Sequence, residues 1–149
     1  MRYSLLFSLL FLFLLSCNKN KFSTTPTLKF KSVNTTTLHR GETITFRLTF
    51  TDAEGDLTGD SALFVQEKVL NCNNSGSGFK QPYPLPSFPT TKNQDGEIVV
   101  SYGYDVNSGQ NLKDPKCSKN DTAVFKFALR DKGGHVSDTV VTDKVVVIF

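Results

Sequence analysis

Tryptophan is absent from this 149-residue chain, methionine occurs once, and histidine occurs only at His39 and His135. Two histidines so far apart in sequence, with no cysteine at zinc-like spacing from either, leave no His/Cys metal cluster. No serine stands in a nucleophile-elbow pattern, and no glycine-rich run matches a phosphate loop. No excess of one charge exists either. Seventeen Lys and Arg stand against fourteen Asp and Glu, scattered rather than gathered, so the electrostatic footprint of a nucleic-acid-binding protein is missing. Beyond the first residues there is no long apolar run and no helical stripe of apolar side chains. These absences place catalysis last among the expectations and a binding or structural role first. A pair of His135 with Asp131 or Asp138 would sit on a surface turn without a pocket.

The one long apolar stretch is at the start, in "MRYSLLFSLLFLFLLSC", where Leu5–Leu15 follows a single Arg. A bilayer-crossing helix needs roughly 20 apolar residues, so this run reads as a secretory signal. Its ending, Leu14-Leu15-Ser16-Cys17, resembles the lipobox read by the bacterial lipoprotein signal peptidase. That resemblance implies a signal peptide over residues 1–16 and a lipid on Cys17, tethering the folded part to a membrane. "NKNKFSTTPT" then reads as a flexible tether, so that residues 17–27 form the lipidated cysteine and linker and 28–149 the domain. Export leaves Cys72 and Cys117 in an oxidising compartment, where one disulfide is the simplest outcome and two free thiols the alternative.

Strict alternation dominates the remainder. "TITFRLTF" sets Ile44, Phe46, Leu48 and Phe50 on one side and Thr43, Thr45, Arg47 and Thr49 on the other. "TAVFKFALR" and "EIVVSYGY" repeat the pattern, while "LKFKSV", "ALFVQEKVL" and the closing stretch from Val136 to Phe149 are rich in branched and aromatic residues. Period two with turn signals between the runs predicts an all-β domain, a single antiparallel β-sandwich of about seven strands. A strand ending in "FTD", the turn "AEGDLTG", the later "FALRDKGGHVSDTV" and a valine-rich last strand together resemble small Bacteroidota lipoproteins with an immunoglobulin-like or cadherin-like domain. The resemblance covers most of Leu38–Phe149. It implies an immunoglobulin-like strand order and a lipid-anchored place at the outer membrane, on its periplasmic or cell-surface face. In that order the runs at 62–70, 122–130 and 136–149 share a sheet, which also brings Cys72 and Cys117 together.

Two stretches carry the functional expectations. "FTDAEGDLTGD" packs Asp52, Glu54, Asp56 and Asp60 into one turn, and the same strand order sets it against "RDKGGHVSD". Asp52, Glu54, Asp56 and Asp131 are the candidate calcium ligands. The competing and preferred reading is a plain acidic turn, because Leu57 and Leu63 stand where a twelve-residue helix–loop–helix calcium loop needs glycine and glutamate. "QPYPLPSFPTT" offers Tyr83, Leu85 and Phe88 between prolines, either as a partner-binding arm or, preferably, as a cap over the open end of the core. The functional expectation is a non-catalytic, membrane-anchored interaction or structural module of the bacterial envelope with a protein partner. The alternative is glycan binding or calcium-dependent adhesion, kept open by Tyr83, Tyr102 and Tyr104 and weakened by the missing tryptophan. Apart from calcium, no cofactor is expected.

Overall fold

The computed structural model describes residues 21–72, 78–107, 109–115 and 117–149. Cys17 and the signal segment lie outside them. Every regular element among the described residues is a strand: β1 (Thr27–Val33), β2 (Thr37–Leu38), β3 (Thr43–Asp52), β4 (Gly59–Val69), β5 (Lys80–Leu85), β6 (Gln94–Tyr104), β7 (Asn111–Leu112), β8 (Asp121–Leu129), β9 (Val140–Val141) and β10 (Val145–Val147). They form two facing sheets. One runs β1-β3-β6-β7; the other runs β2-β10-β8-β4-β5, with β9 also on β8. The all-β sandwich expected from alternation is therefore the fold, and the runs at 62–70 and 122–130 do lie side by side.

The alternation in β3 and β8 is what makes the core. Ile44, Phe46, Leu48, Ala123, Phe125 and Leu129 are fully buried, and Phe127 nearly so. The residues between them face outwards. Phe46 meets Phe125 at 4.5 Å and Phe127 at 5.4 Å between ring centroids, and Tyr102 and Phe79 complete an aromatic centre across the two sheets.

Three details differ from the sequence expectation. The sheets are not wholly antiparallel, because β2 pairs with β10 and β6 with β7 in parallel. Two-residue strands such as β2 and β7 carry no readable period, which is also why about seven strands were expected and ten are present. The tether does not run as far as residue 27: Ala53 N–H donates to Ser23 C=O at 3.1 Å, Pro26 is buried and β1 begins at Thr27.

The closing stretch from 136 to 149 is not one strand. It meets Arg130, just past β8, at Val136, and then β8 itself at β9 and at β10, with breaks between. The cause is chemical. Leu129 N–H donates to Ser137 Oγ at 2.9 Å and Phe125 N–H to Thr142 Oγ1 at 3.0 Å, so side-chain hydroxyls stand in for backbone carbonyls at both breaks. Each hydroxyl then donates to the carbonyl of the following aspartate, Asp138 or Asp143. Thr142→Val keeps the shape but leaves the buried Phe125 N–H without an acceptor. Equilibrium urea unfolding is expected to show a loss of about 1–3 kcal/mol; a loss below about 0.5 kcal/mol, the usual size for neutral surface changes, would mean the hydroxyl does not carry the ladder.

Candidate functional site

The acidic turn and the Asp131 turn meet at one end of the sandwich. Asp52 is the last residue of β3 and Asp131 follows β8 by two residues, so each ends a Phe-rich strand of a different sheet. Asp52 is fully buried. Its Oδ2 accepts from Gly55 N–H at 2.6 Å and Asp56 N–H at 3.2 Å, which folds the turn around one carboxylate. Gly55 sits at φ 69°, and a Cβ there would stand 1.9 Å from Thr91 C=O, so only glycine fits. Leu57, fully buried, anchors the turn in the core.

Asp131 organises the second turn in the same manner. Its Oδ1 accepts from His135 N–H at 2.7 Å, its Oδ2 lies 2.8 Å from His135 Nδ1, and Gly134 N–H donates to its carbonyl at 3.2 Å. Asp52, Asp56 and Asp131 each bring one carboxylate oxygen into a group whose members lie within 4.8 Å of one another. Glu54, expected with them, is not among them; it is exposed, between Ala53 and the buried Gly55. Burial pushes the Asp52 carboxyl above its usual range, the two N–H donors pull it back, and the neighbouring Asp56 and Glu54 charges add to the rise.

The opposite end of the β4–β8 ladder is closed covalently. Cys72, just after β4, is bonded to Cys117, just before β8, with Cα atoms 6.0 Å apart. The disulfide expected from the two cysteines is present.

The proline stretch lies along a sheet edge and packs against the core. Lys80–Leu85 is β5, an edge strand on β4 in which Tyr83 pairs with Leu63 and Pro82 with Phe64. Proline has no N–H to give, so it is admitted at an edge and helps to close that edge to further pairing. Tyr83, Leu85 and Phe88 are half-buried and pack against the core, and Phe88 N–H and Pro86 C=O both engage Thr58 Oγ1 at 3.4 Å, which clamps the stretch to the acidic loop.

The two sheets part between β5 and β6. A cleft of about 630 Å³ opens there, with Tyr83, Leu85 and Phe88 on one wall and Phe50, Ile98 and Val100 on the other. At its C-terminal end β6 has β7 as neighbour for only Gly103 and Tyr104, so residues 94–102 have β3 on one side and, among the described residues, no strand on the other. Tyr104 N–H reaches Glu42 C=O on the β3 side, whereas Gly103 N–H reaches Gln110 C=O on the other. Strand periodicity then turns the N–H and C=O groups of Glu97, Val99 and Ser101 to the open side. Sequence reasoning saw β6 as a half-buried strand but missed this bare edge, since edge or centre is decided by which strands arrive from elsewhere in the chain.

A second residue was missed. Glu67 lies on the inward face of β4 with Leu63 and Val65, and it is buried. Nearby Tyr102 has its phenol pushed well above the usual tyrosine range, first by burial and then by Tyr83 and Glu67. The signal was available in the alternation Leu63, Val65, Glu67, Val69.

No family model and no curated protein sequence matches the chain. Among solved structures it is similar to Spo0M, a sporulation control protein from Bacillus subtilis, with a TM-score of 0.46 and 10% identity over 84% of this chain. The match spans half of the Bacillus chain, 50% of its length. It is also similar to a Niemann-Pick type C2 protein from the Japanese carpenter ant, with a TM-score of 0.41 and 12% identity over 85% of this chain and 98% of that one.

Proposed function

We propose that the protein is a non-catalytic module of the bacterial outer membrane, held there by lipid on Cys17, that binds an envelope partner by taking an extended segment of it against the open edge of β6. The observation that carries the reading is the nine-residue stretch of β6, residues 94–102, paired among the described residues with β3 on one side only. An unpaired edge presents main-chain donors and acceptors at strand spacing, and such edges recruit an extended peptide as an added strand. Natural sheets usually block their edges with proline or charge. Here β5 carries Pro82 and Pro84, while the middle of the β6 edge carries Val99, half-exposed, and Ser101. The adjoining cleft offers apolar contacts to alternate side chains of the incoming segment, from Ile98 and Val100 on one wall and Tyr83, Leu85 and Phe88 on the other.

Proline at a residue whose N–H faces the open side removes the docking donor without removing a bond to β3. Val99→Pro and Ser101→Pro are therefore expected to keep the β-sheet circular dichroism and melting curve of the wild type. Both are expected to lose a partner that co-purifies stoichiometrically from gently solubilised envelope. A folded variant that retains the same partner, or a wild-type protein that carries no partner, would defeat the reading.

A further inference from the structure

We propose that Asp52, Asp56 and Asp131 form a calcium site that ties the two sheets together at the end of the sandwich opposite the disulfide. The donor set is entirely carboxylate oxygen, the chemistry of a hard divalent cation. The mutual span of at most 4.8 Å matches the width of a calcium coordination sphere, whose bonds are about 2.3–2.6 Å. Three acids in a turn are not by themselves a site; two buried oxygens make this one. Asp52 is fully inaccessible, and its Oδ1 has no hydrogen-bond partner while Oδ2 holds the turn. Asp56 Oδ1 is likewise buried and without a partner. A buried carboxylate oxygen left empty-handed beside two further carboxylates is costly unless a cation meets it.

Among the described residues, no Lys or Arg forms an ion pair with any of the three acids. Arg130 and Lys132 line a neighbouring hollow with Asp131, but the Arg130 guanidinium lies over the Phe64 ring at 5.3 Å. His135, held by Asp131 through Nδ1, orients that carboxylate from outside, as outer-shell partners of metal ligands do. Carboxylates from β3, from the β3–β4 loop and from the turn after β8 would share one ion, which adds a direct tie between the loop, the turn and the two sheets to the packing already present. This site is independent of the β6 edge and stands or falls without it.

The test is calcium titration of the full-length, metal-stripped protein in detergent, by calorimetry and by thermal melting in calcium against chelator. One saturable equivalent of calcium and a higher melting midpoint are expected, with no rise in sodium chloride of equal ionic strength. Asp131→Asn and Asp52→Asn are each expected to weaken calcium binding at least tenfold. In chelator, Asp52→Asn is expected to melt no lower than the wild type, because Asn Oδ1 still accepts from Gly55 and Asp56 while one repelling charge is gone. Asp56→Asn gives the same reading if either other variant does not fold. Superimposed melts with no saturable heat, or calcium binding that survives in the folded variants, would overturn the proposal.

Discussion

Phe125→Ala is expected to cost about 3–5 kcal/mol, the largest loss of any single side chain in the domain. Phe125 is fully buried at the middle of β8 and its ring contacts reach both sheets: Phe46 on β3 at 4.5 Å, Tyr102 on β6 at 6.2 Å, and Phe79 at 6.5 Å. Truncation removes the apolar area of the ring and leaves a void that its neighbours cannot close. Phe46, Phe127 and Tyr102 are each buried on rigid strands whose positions are set by ladder hydrogen bonds. Offset and tilted ring pairs add to the loss, each worth roughly 0.5–1.5 kcal/mol beyond area. The measurement is equilibrium urea unfolding, with the slope unchanged and the midpoint lowered. Val99→Ala, at a half-exposed edge position, serves as the comparison and is expected within about 0.5 kcal/mol of wild type. A Phe125→Ala loss below about 2 kcal/mol, the lower end for large buried truncations, would mean that the aromatic centre repacks.

The second large effect is expected from the disulfide. Replacing both Cys72 and Cys117 by serine opens a loop with a sequence separation of 45 residues. The chain-entropy model gives roughly 4 kcal/mol for a loop of that length, with measured values often lower. The effect should be near the upper end here, because the loop contains β5, β6 and β7, and with them the open β6 edge and all of the cleft lining except Phe50 and Leu63. The double variant is the proper test, as either single one leaves an unpaired thiol to form wrong bonds. Unfolding should occur at lower urea with a steeper slope, since the reduced unfolded chain exposes more surface. A loss below about 1 kcal/mol would show that the unfolded chain already holds these ends together, against the chain-entropy account.

Much of this was legible in the residues, for a definite reason. Alternation in "TITFRLTF" and "TAVFKFALR" is a local code: period two sends every second side chain to one face wherever the strand ends up, so β3, β8 and the core they build follow from order alone. The prolines at 82 and 84 likewise confine their segment to an edge before any partner is known. The break after Val136 was also written locally, in Ser137 and Thr142, but hydroxyls able to replace a carbonyl look in sequence like ordinary turn residues.

What the chain order determined by itself was the all-β character, the buried face of each long strand, and the pair of cysteines available for a bridge. Tertiary structure alone decided what meets what. Asp52 and Asp131 are far apart in sequence and belong to different sheets, yet both close the same end. Glu54, two residues from Asp52, is exposed and outside the carboxylate group. Among the described residues, β6 is bare on one side because β7 pairs with only its last two residues. Such facts depend on long-range pairing, whose free energy comes from burial shared between distant segments rather than from the preferences of either one.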